Sequence, residues 1–221
     1  MVVSVILCNV GRSGGNQSLL FCLFCRVSLF FVLEVPVGGG GIVLAHEECD
    51  VELLSFVVGS GVAVYAWGCD VGLFDMVRHN VYACVVRMMG PGVGYFDVAG
   101  VYVGPQVSGA GMRDIMGNVG KVDVMAGDLN ARHTDCSAGV GDDVFYPSGI
   151  SLRIIIAVEG LVCLPICGPT YRDVSVLDLT LCLAGSVLSH GYLDLAGLDH
   201  PAHLLRFACG TPPGIVSGRI S

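Results

Sequence analysis

The chain has 221 residues, 53% of them hydrophobic and 14% charged, which is enough to bury one sizeable core and too apolar for a disordered polypeptide. A formal net charge of −8 and a pI near 5.0 exclude a broadly basic surface, the usual electrostatic footprint of a protein that holds nucleic acid unaided. The mean hydropathy of +0.74 raises the question of a membrane, but Arg26 and Glu34 interrupt the apolar stretch 19–37, and the longest uncharged run, 53–69, contains three glycines, so no transmembrane helix is expected.

Residues 2–7 form a β-branched run of strand length, and the glycines at 11–15 mark the loop that follows, which puts Asn9 at a strand's C-terminal end. Asn16 is placed as the N-cap of an apolar helix reaching about residue 26, and 29–33 reads as a buried strand ending at Glu34. Glycines 38–41 close that unit. Strands are expected at 62–67, 81–88 and 96–103, with Gly90-Pro91-Gly92 as the clearest turn; that loop lacks the following Lys and helix of a phosphate-cradling loop. Residues 108–120 predict a glycine-weakened helix and 122–126 a strand that delivers Gly127-Asp128-Leu129-Asn130 to its tip. Ser151 is placed as the cap of a helix stopping at Gly160, with later strands at 161–164, 176–183 and 204–207. No repeat or second composition class interrupts the chain, which predicts one domain over 1–209 and a loose tail over 210–221.

The eleven cysteines are odd in number, and Cys8, Cys84 and Cys182 sit inside apolar runs, so free thiols in a reducing compartment are expected. Cys22 and Cys25 have C-x-x-C spacing, but no second pair or histidine follows at a zinc interval, and both are assigned to core packing. The first ten residues carry no basic segment, so no secretory signal is expected.

The segment Gly127-Asp128-Leu129-Asn130-Ala131 carries the sharpest chemical signal. Hydrolysis of a phosphodiester needs a group to orient or deprotonate water and donors to stabilise the pentavalent phosphorus, and an Asp and an Asn two apart on one strand would face the same way. Taken alone, the same four residues also describe an Asx-type turn. Asp199-His200, with Asp178 available to orient the imidazole, offers acid/base pairing, whereas His133 and His203 are read as bystanders. Of the two carboxylates Glu34 and Glu52, Glu34 is preferred as the site residue because it follows a buried strand and precedes the Pro-Gly loop.

Six segments in order resemble the endonuclease/exonuclease/phosphatase (DNase I-like) superfamily, in the apurinic/apyrimidinic-type version found in non-LTR retrotransposons. They are Leu7-Cys8-Asn9-Val10-Gly11-Arg12, Val32-Leu33-Glu34-Val35-Pro36, Val101-Tyr102-Val103-Gly104-Pro105, the Gly127 block, Gly168-Pro169-Thr170-Tyr171 with Ser175-Val176-Leu177-Asp178-Leu179-Thr180, and Leu198-Asp199-His200-Pro201. The resemblance spans nearly the whole chain. Its departures include Leu33 where the family usually has Gln, Leu198 where a Ser is common, and a single lysine, Lys121.

This resemblance implies a four-layer α/β/β/α sandwich of two mixed sheets and a DNA-nicking site dependent on Mg²⁺, with Mn²⁺ as a substitute. It implies Glu34, Asn9 and Asp199 as metal residues and Asp128 as the group that positions or deprotonates water. Asn130, Tyr102 and Thr170 would hold phosphate, and His200, oriented by Asp178, would stabilise charge or move a proton. Expected partners are DNA and a reverse transcriptase of a parent element, with no membrane, inside the cell and in the nucleus when acting. An abasic-site repair endonuclease, a small-molecule phosphodiesterase and a catalytically silent remnant are the alternatives.

Overall fold

The first strand, β1 (Val2–Asn9), shows why so apolar a chain needs layers on both sides of a sheet. Val3, Val5 and Leu7 enter one apolar cluster while Ile6 and Cys8 enter another, so both faces are buried and the strand reads as a continuous hydrophobic run. The computed structural model describes residues 2–208 apart from 12–13, 24–26, 36–49, 60, 69, 90–93, 133–145, 165–177, 196–197 and 199.

After β1 come α1 (Gly14–Leu23), β2 (Leu29–Leu33), β3 (Val51–Val57) and β4 (Val62–Trp67), then a 3₁₀ turn, β5 (Phe74–His79), β6 (Ala83–Met89) and β7 (Tyr95–Tyr102). The chain continues through α2 (Gly109–Val119), β8 (Val124–Asp128), α3 (Pro147–Glu159), β9 (Leu161–Cys163), β10 (Asp178–Leu183), β11 (Ser189–Leu193) and β12 (Ala202–Ala208). One six-stranded sheet has the order β11-β12-β1-β2-β4-β3 and the other β5-β6-β7-β8-β10-β9. In each a single parallel pair, β1 with β2 and β7 with β8, sits among antiparallel neighbours.

The sheets meet face to face over Leu7, Phe31, Val64, Val86, Val98, Ala126 and Phe207. Gly100 of β7 lies where a β-carbon would run into the Phe31 ring, so a missing side chain on one sheet admits an aromatic from the other. Leu20 and Phe21 of α1 cover the outer face of the first sheet; Met112, Ile115, Met116 and Leu152 of α2 and α3 cover that of the second. The architecture is the expected four-layer α/β/β/α sandwich. None of the described helices is long and apolar enough to cross a membrane.

Local differences from the sequence reading have physical causes. Asn16 lies inside α1 rather than capping it, and its Nδ2 donates to the Val10 carbonyl at 3.2 Å. Helix α3 starts four residues before Ser151, with Pro147 in its first turn where no amide hydrogen is needed; Ser151 is instead a buried acceptor from Arg113 Nη1 at 3.0 Å. Ser108 does cap α2, accepting from the Gly111 amide at 3.1 Å. Strands β3, β5 and β11 went unread, and each is a sheet edge, where half-exposed strands carry polar residues and lose the apolar-run signal. Cys22 is exposed on α1, not packed in the core; Cys8, Cys84 and Cys182 are buried thiols, and among the described residues the cysteines are free. Cys25, the 38–41 and 90–92 glycine turns and the 210–221 tail lie outside the described residues.

Gly127 offers a direct test of this packing, because a β-carbon there would overlap the Val101 carbonyl oxygen of the adjacent strand. Gly117, inside α2, has nothing within 4 Å of that position. In urea denaturation Gly127→Ala should cost about 2 kcal/mol or more through backbone displacement, whereas Gly117→Ala should gain roughly 0.5 to 1 kcal/mol. Equal effects would contradict the β7–β8 contact.

Candidate active site

Parallel pairing puts the C-terminal ends of β1 and β2 at one end of their sheet and those of β7 and β8 at one end of theirs. β10 runs antiparallel to β8, so its first residue, Asp178, pairs in register with Asp128, which in turn pairs with Tyr102. Three adjacent strands therefore present Tyr102, Asp128 and Asp178 in one row. β12 runs antiparallel to β1, which returns His200, two residues before that strand, to the tip carrying Asn9.

Hydrogen bonds join these tips across the sandwich. Asn9 Nδ2 donates to Asp128 Oδ2 at 3.3 Å, and His200 Nδ1 bonds Asp178 Oδ2 at 2.6 Å, each linking one sheet to the other. The Tyr102 hydroxyl donates to Glu34 Oε1 at 3.1 Å, adding a third link at the end of β2. Asn9, Asp128, Asp178 and His200 are all buried, Asp178 with 1% exposure, so little water competes with these bonds.

Tight local turns aim the side chains. Asn9 Oδ1 accepts the Gly11 amide at 3.0 Å and Asp128 Oδ1 the Asn130 amide at 3.2 Å, so both strand tips close as Asx turns. The turn and the site are thus the same residues rather than competing readings of the Gly127 block. Glu34 and Asn130 hold left-handed backbone, at φ 50° and 44°, a conformation that is unusual outside glycine and clusters at functional sites. Strand alternation does not extend to Asn130: its Nδ2 donates to the Val103 carbonyl at 2.8 Å and fastens the β8 tip to the end of β7.

Burial raises the Asp128 carboxyl, and the charge of Asp178 raises it further. His200, the Asn130 amide and the Asn9 side chain oppose them, leaving a pKa of about 7. For His200 burial disfavours the charged ring, but the Asp178 hydrogen bond and charge, with Asp128 and Glu34 behind them, outweigh it and raise its pKa. His200 is thus raised by Asp178, Asp128 and Glu34 together, with Asp178 its hydrogen-bond partner.

Asp128, Asp178 and His200 offer ligand atoms all within 4.8 Å of one another. Glu34, tied to Tyr102, is not a member of that cluster; its carboxylate and the Asn9 amide oxygen are the kind of donor that suits a hard dication. Glu52, the rival to Glu34, is exposed on β3, an edge strand, with Ala66 as its register partner. Asp199 and Thr170 lie outside the described residues. Sequence reasoning passed over Thr180 and set aside His203, whose Nδ1 and Oγ1 atoms lie 3.1 Å apart between the sheets. Period-2 spacing from Asp178 was the signal for Thr180.

No family model and no curated protein matches the chain. Among solved structures it is similar to an endonuclease/exonuclease/phosphatase from Beutenbergia cavernae, at TM-score 0.60 and 15% identity over 95% of this chain and 72% of that one. A family protein from Leptotrichia buccalis gives TM-score 0.57 and 13% identity over 93% and 99%. The inositol polyphosphate 5-phosphatase domain of SpSynaptojanin, in complex with inositol (1,4)-bisphosphate and a calcium ion, gives 0.55 and 12% over 95% and 84%. The fold is that of the endonuclease/exonuclease/phosphatase proteins. With at least 93% of the chain superposed in each case, the endonuclease/exonuclease/phosphatase fold accounts for nearly the whole molecule.

Two titrations follow. The folded state holds the Asp128 proton up to about pH 7 while the unfolded chain releases it near 3.8, so folded molecules bind more protons in that window and stability falls as pH rises through it. Asp128→Asn should flatten this dependence when urea denaturation is compared at pH 5 and pH 8; an unchanged slope would contradict the burial argument. Asp178→Asn removes the charge that raises both neighbours, so the pKa of His200 followed by NMR should fall, and that of Asp128 with it. A rise in either would show that the pair is wired differently.

Proposed function

We propose that the chain is a divalent-metal-dependent phosphodiesterase that nicks DNA, as the endonucleases of non-LTR retrotransposons do. The observation that carries the reading is the buried Asp178–His200 pair, 2.6 Å apart, beside an Asp128 held from the opposite sheet by Asn9. A structural ion pair has no need of a third buried acid, whereas hydrolysis needs one group to manage water and another to meet charge at phosphorus.

In this reading Glu34 and Asn9 would hold the metal together with Asp199, and the metal would supply Lewis-acid polarisation of a phosphoryl oxygen. Asp128 orients the attacking water and takes its proton, a task suited by a pKa near 7. His200, kept protonated by Asp178, donates to the scissile phosphate as negative charge builds there. Thr170 would contribute a hydroxyl donor, Tyr102 would do so on releasing Glu34 to the metal, and Asn130 retains a second amide hydrogen beyond the one given to Val103. Leu7 and Ala126, and Leu205 one repeat deeper, belong to the apolar layer on the inner side of the row.

A second reading rests on charge. A chain of net charge −8 with one lysine draws little affinity from a polyanion, so DNA would be met with basic surface borrowed from a neighbouring reverse transcriptase, acting in the nucleus. A small phosphate ester would need no such help. Supercoiled plasmid, an abasic oligonucleotide and an inositol phosphate, each with Mg²⁺ and with EDTA, separate these substrates. Plasmid nicking that requires Mg²⁺ is expected. Glu34→Gln should reduce it about 100-fold or more, while Glu52→Gln, at an exposed edge, should leave it near the starting rate. Turnover of the inositol phosphate alone would move the assignment to small esters, and no turnover of any substrate would indicate a silent remnant.

A further inference from the structure

Directly below the Asp178–His200 pair lies a histidine that the proposed chemistry leaves unused. His203 is 0% exposed, points from β12 into the space between the sheets, and pairs in register with Leu7 of β1. Its Nδ1 lies 3.1 Å from Oγ1 of Thr180, a residue of the opposite sheet that is 1% exposed and two positions from Asp178 on the same face of β10. The Tyr192 ring meets the imidazole edge-on, with centroids 4.2 Å apart.

An apolar residue would fill this space without the desolvation that an imidazole suffers there. Among the described residues Nε2 of His203 has no hydrogen-bond partner, so the ring is retained at a penalty and its single tie to Thr180 is what it accomplishes. A buried donor without an acceptor is less tolerable than a bare acceptor, which places the proton on Nδ1, donating to Thr180 Oγ1. Burial holds the ring neutral, with a pKa near 4, although Asp178 favours and His200 opposes its protonation. A neutral ring here keeps a second positive charge away from the imidazolium of His200.

Apolar packing between sheets is non-directional and tolerates small slides, whereas a 2.6 Å contact such as Asp178–His200 does not. The two polar ties lie roughly one 7 Å strand repeat apart on β10, the deeper one reaching β12 itself and the outer one the segment that leads into it, so the deeper one limits how β10 and β12 can shift at the tip. We propose that Thr180 and His203 form a cross-sheet clamp that positions the Asp178–His200 pair, which makes His203 a positioning residue of the site. This deepens the phosphodiesterase reading and rests on it for the kinetic arm of the test alone.

The test compares Thr180→Val, which keeps the shape and removes the hydroxyl, Thr180→Ser, which keeps the hydroxyl, and His203→Leu. The readouts are the downfield imidazole proton of His200 by NMR and the kcat and KM for plasmid nicking with Mg²⁺. Thr180→Val and His203→Leu should broaden that resonance, speed its exchange and lower kcat about tenfold with KM nearly unchanged, while Thr180→Ser retains both properties. Should His203→Leu fail to fold, the near-isosteric Thr180→Val decides. A resonance as sharp and a kcat as high in Thr180→Val as in the unsubstituted chain would overturn the clamp, as would absence of the resonance from the unsubstituted chain. If the unsubstituted chain cleaves nothing, the phosphodiesterase reading fails and the NMR comparison still decides the clamp.

Discussion

Everything at the candidate site depends on two sheets being held face to face at a fixed spacing with the same end of each exposed. The apolar layer between them supplies the attraction, and the contact of Phe31 with the space over Gly100 makes the spacing specific. At one end the apolar residues give way to Asn9, Asp128, Asp178 and His200, which bond across the gap instead of packing across it. A one-residue register slip of any of these strands within its sheet would turn its group to the other face, because strand side chains alternate faces.

Such a site opposes the stability of the fold that carries it. Three carboxylates act on one buried imidazole, and burial with the Asp178 charge leaves Asp128 half protonated near neutrality. Glu34 and Asn130 add left-handed backbone, a conformation worth roughly 1 kcal/mol or more of strain outside glycine. The surrounding sandwich over-determines these conformations: Glu34 receives the Tyr102 hydroxyl and Asn130 is fastened to Val103. A cation near the carboxylates would relieve the repulsion, and the oxygens of Glu34 and Asn9 suit one of the hard, oxygen-seeking kind.

Charge also bears on what the site can act upon. Among the described residues Arg87 pairs with Asp97, Arg78 binds the carbonyls of Val119 and Lys121, Arg113 reaches Ser151, and Arg132, four residues beyond Asp128, lies over the Tyr146 ring. The first three of these tie their charge to the second sheet and its helices. A net charge of −8 offers little of a basic binding track, so the DNA reading calls for a basic neighbour and the small-ester reading does not.

Much of this was legible from residues in order. Apolar runs at β1, β2 and β8 determined buried central strands, and Gly127-Asp128-Leu129-Asn130 marked a strand tip, because hydrophobic pattern and turn chemistry act over a few neighbours. Edge strands β3, β5 and β11 left no such trace, since their residues face solvent as much as core. Only tertiary structure decided that Glu34 rather than Glu52 meets Tyr102, that Asn130 turns toward Val103, and that His203 opposes Thr180. Those pairings join residues 68, 27 and 23 positions apart, the first and last between the two sheets and the second between neighbouring strands of one, contacts that no local pattern along a strand encodes.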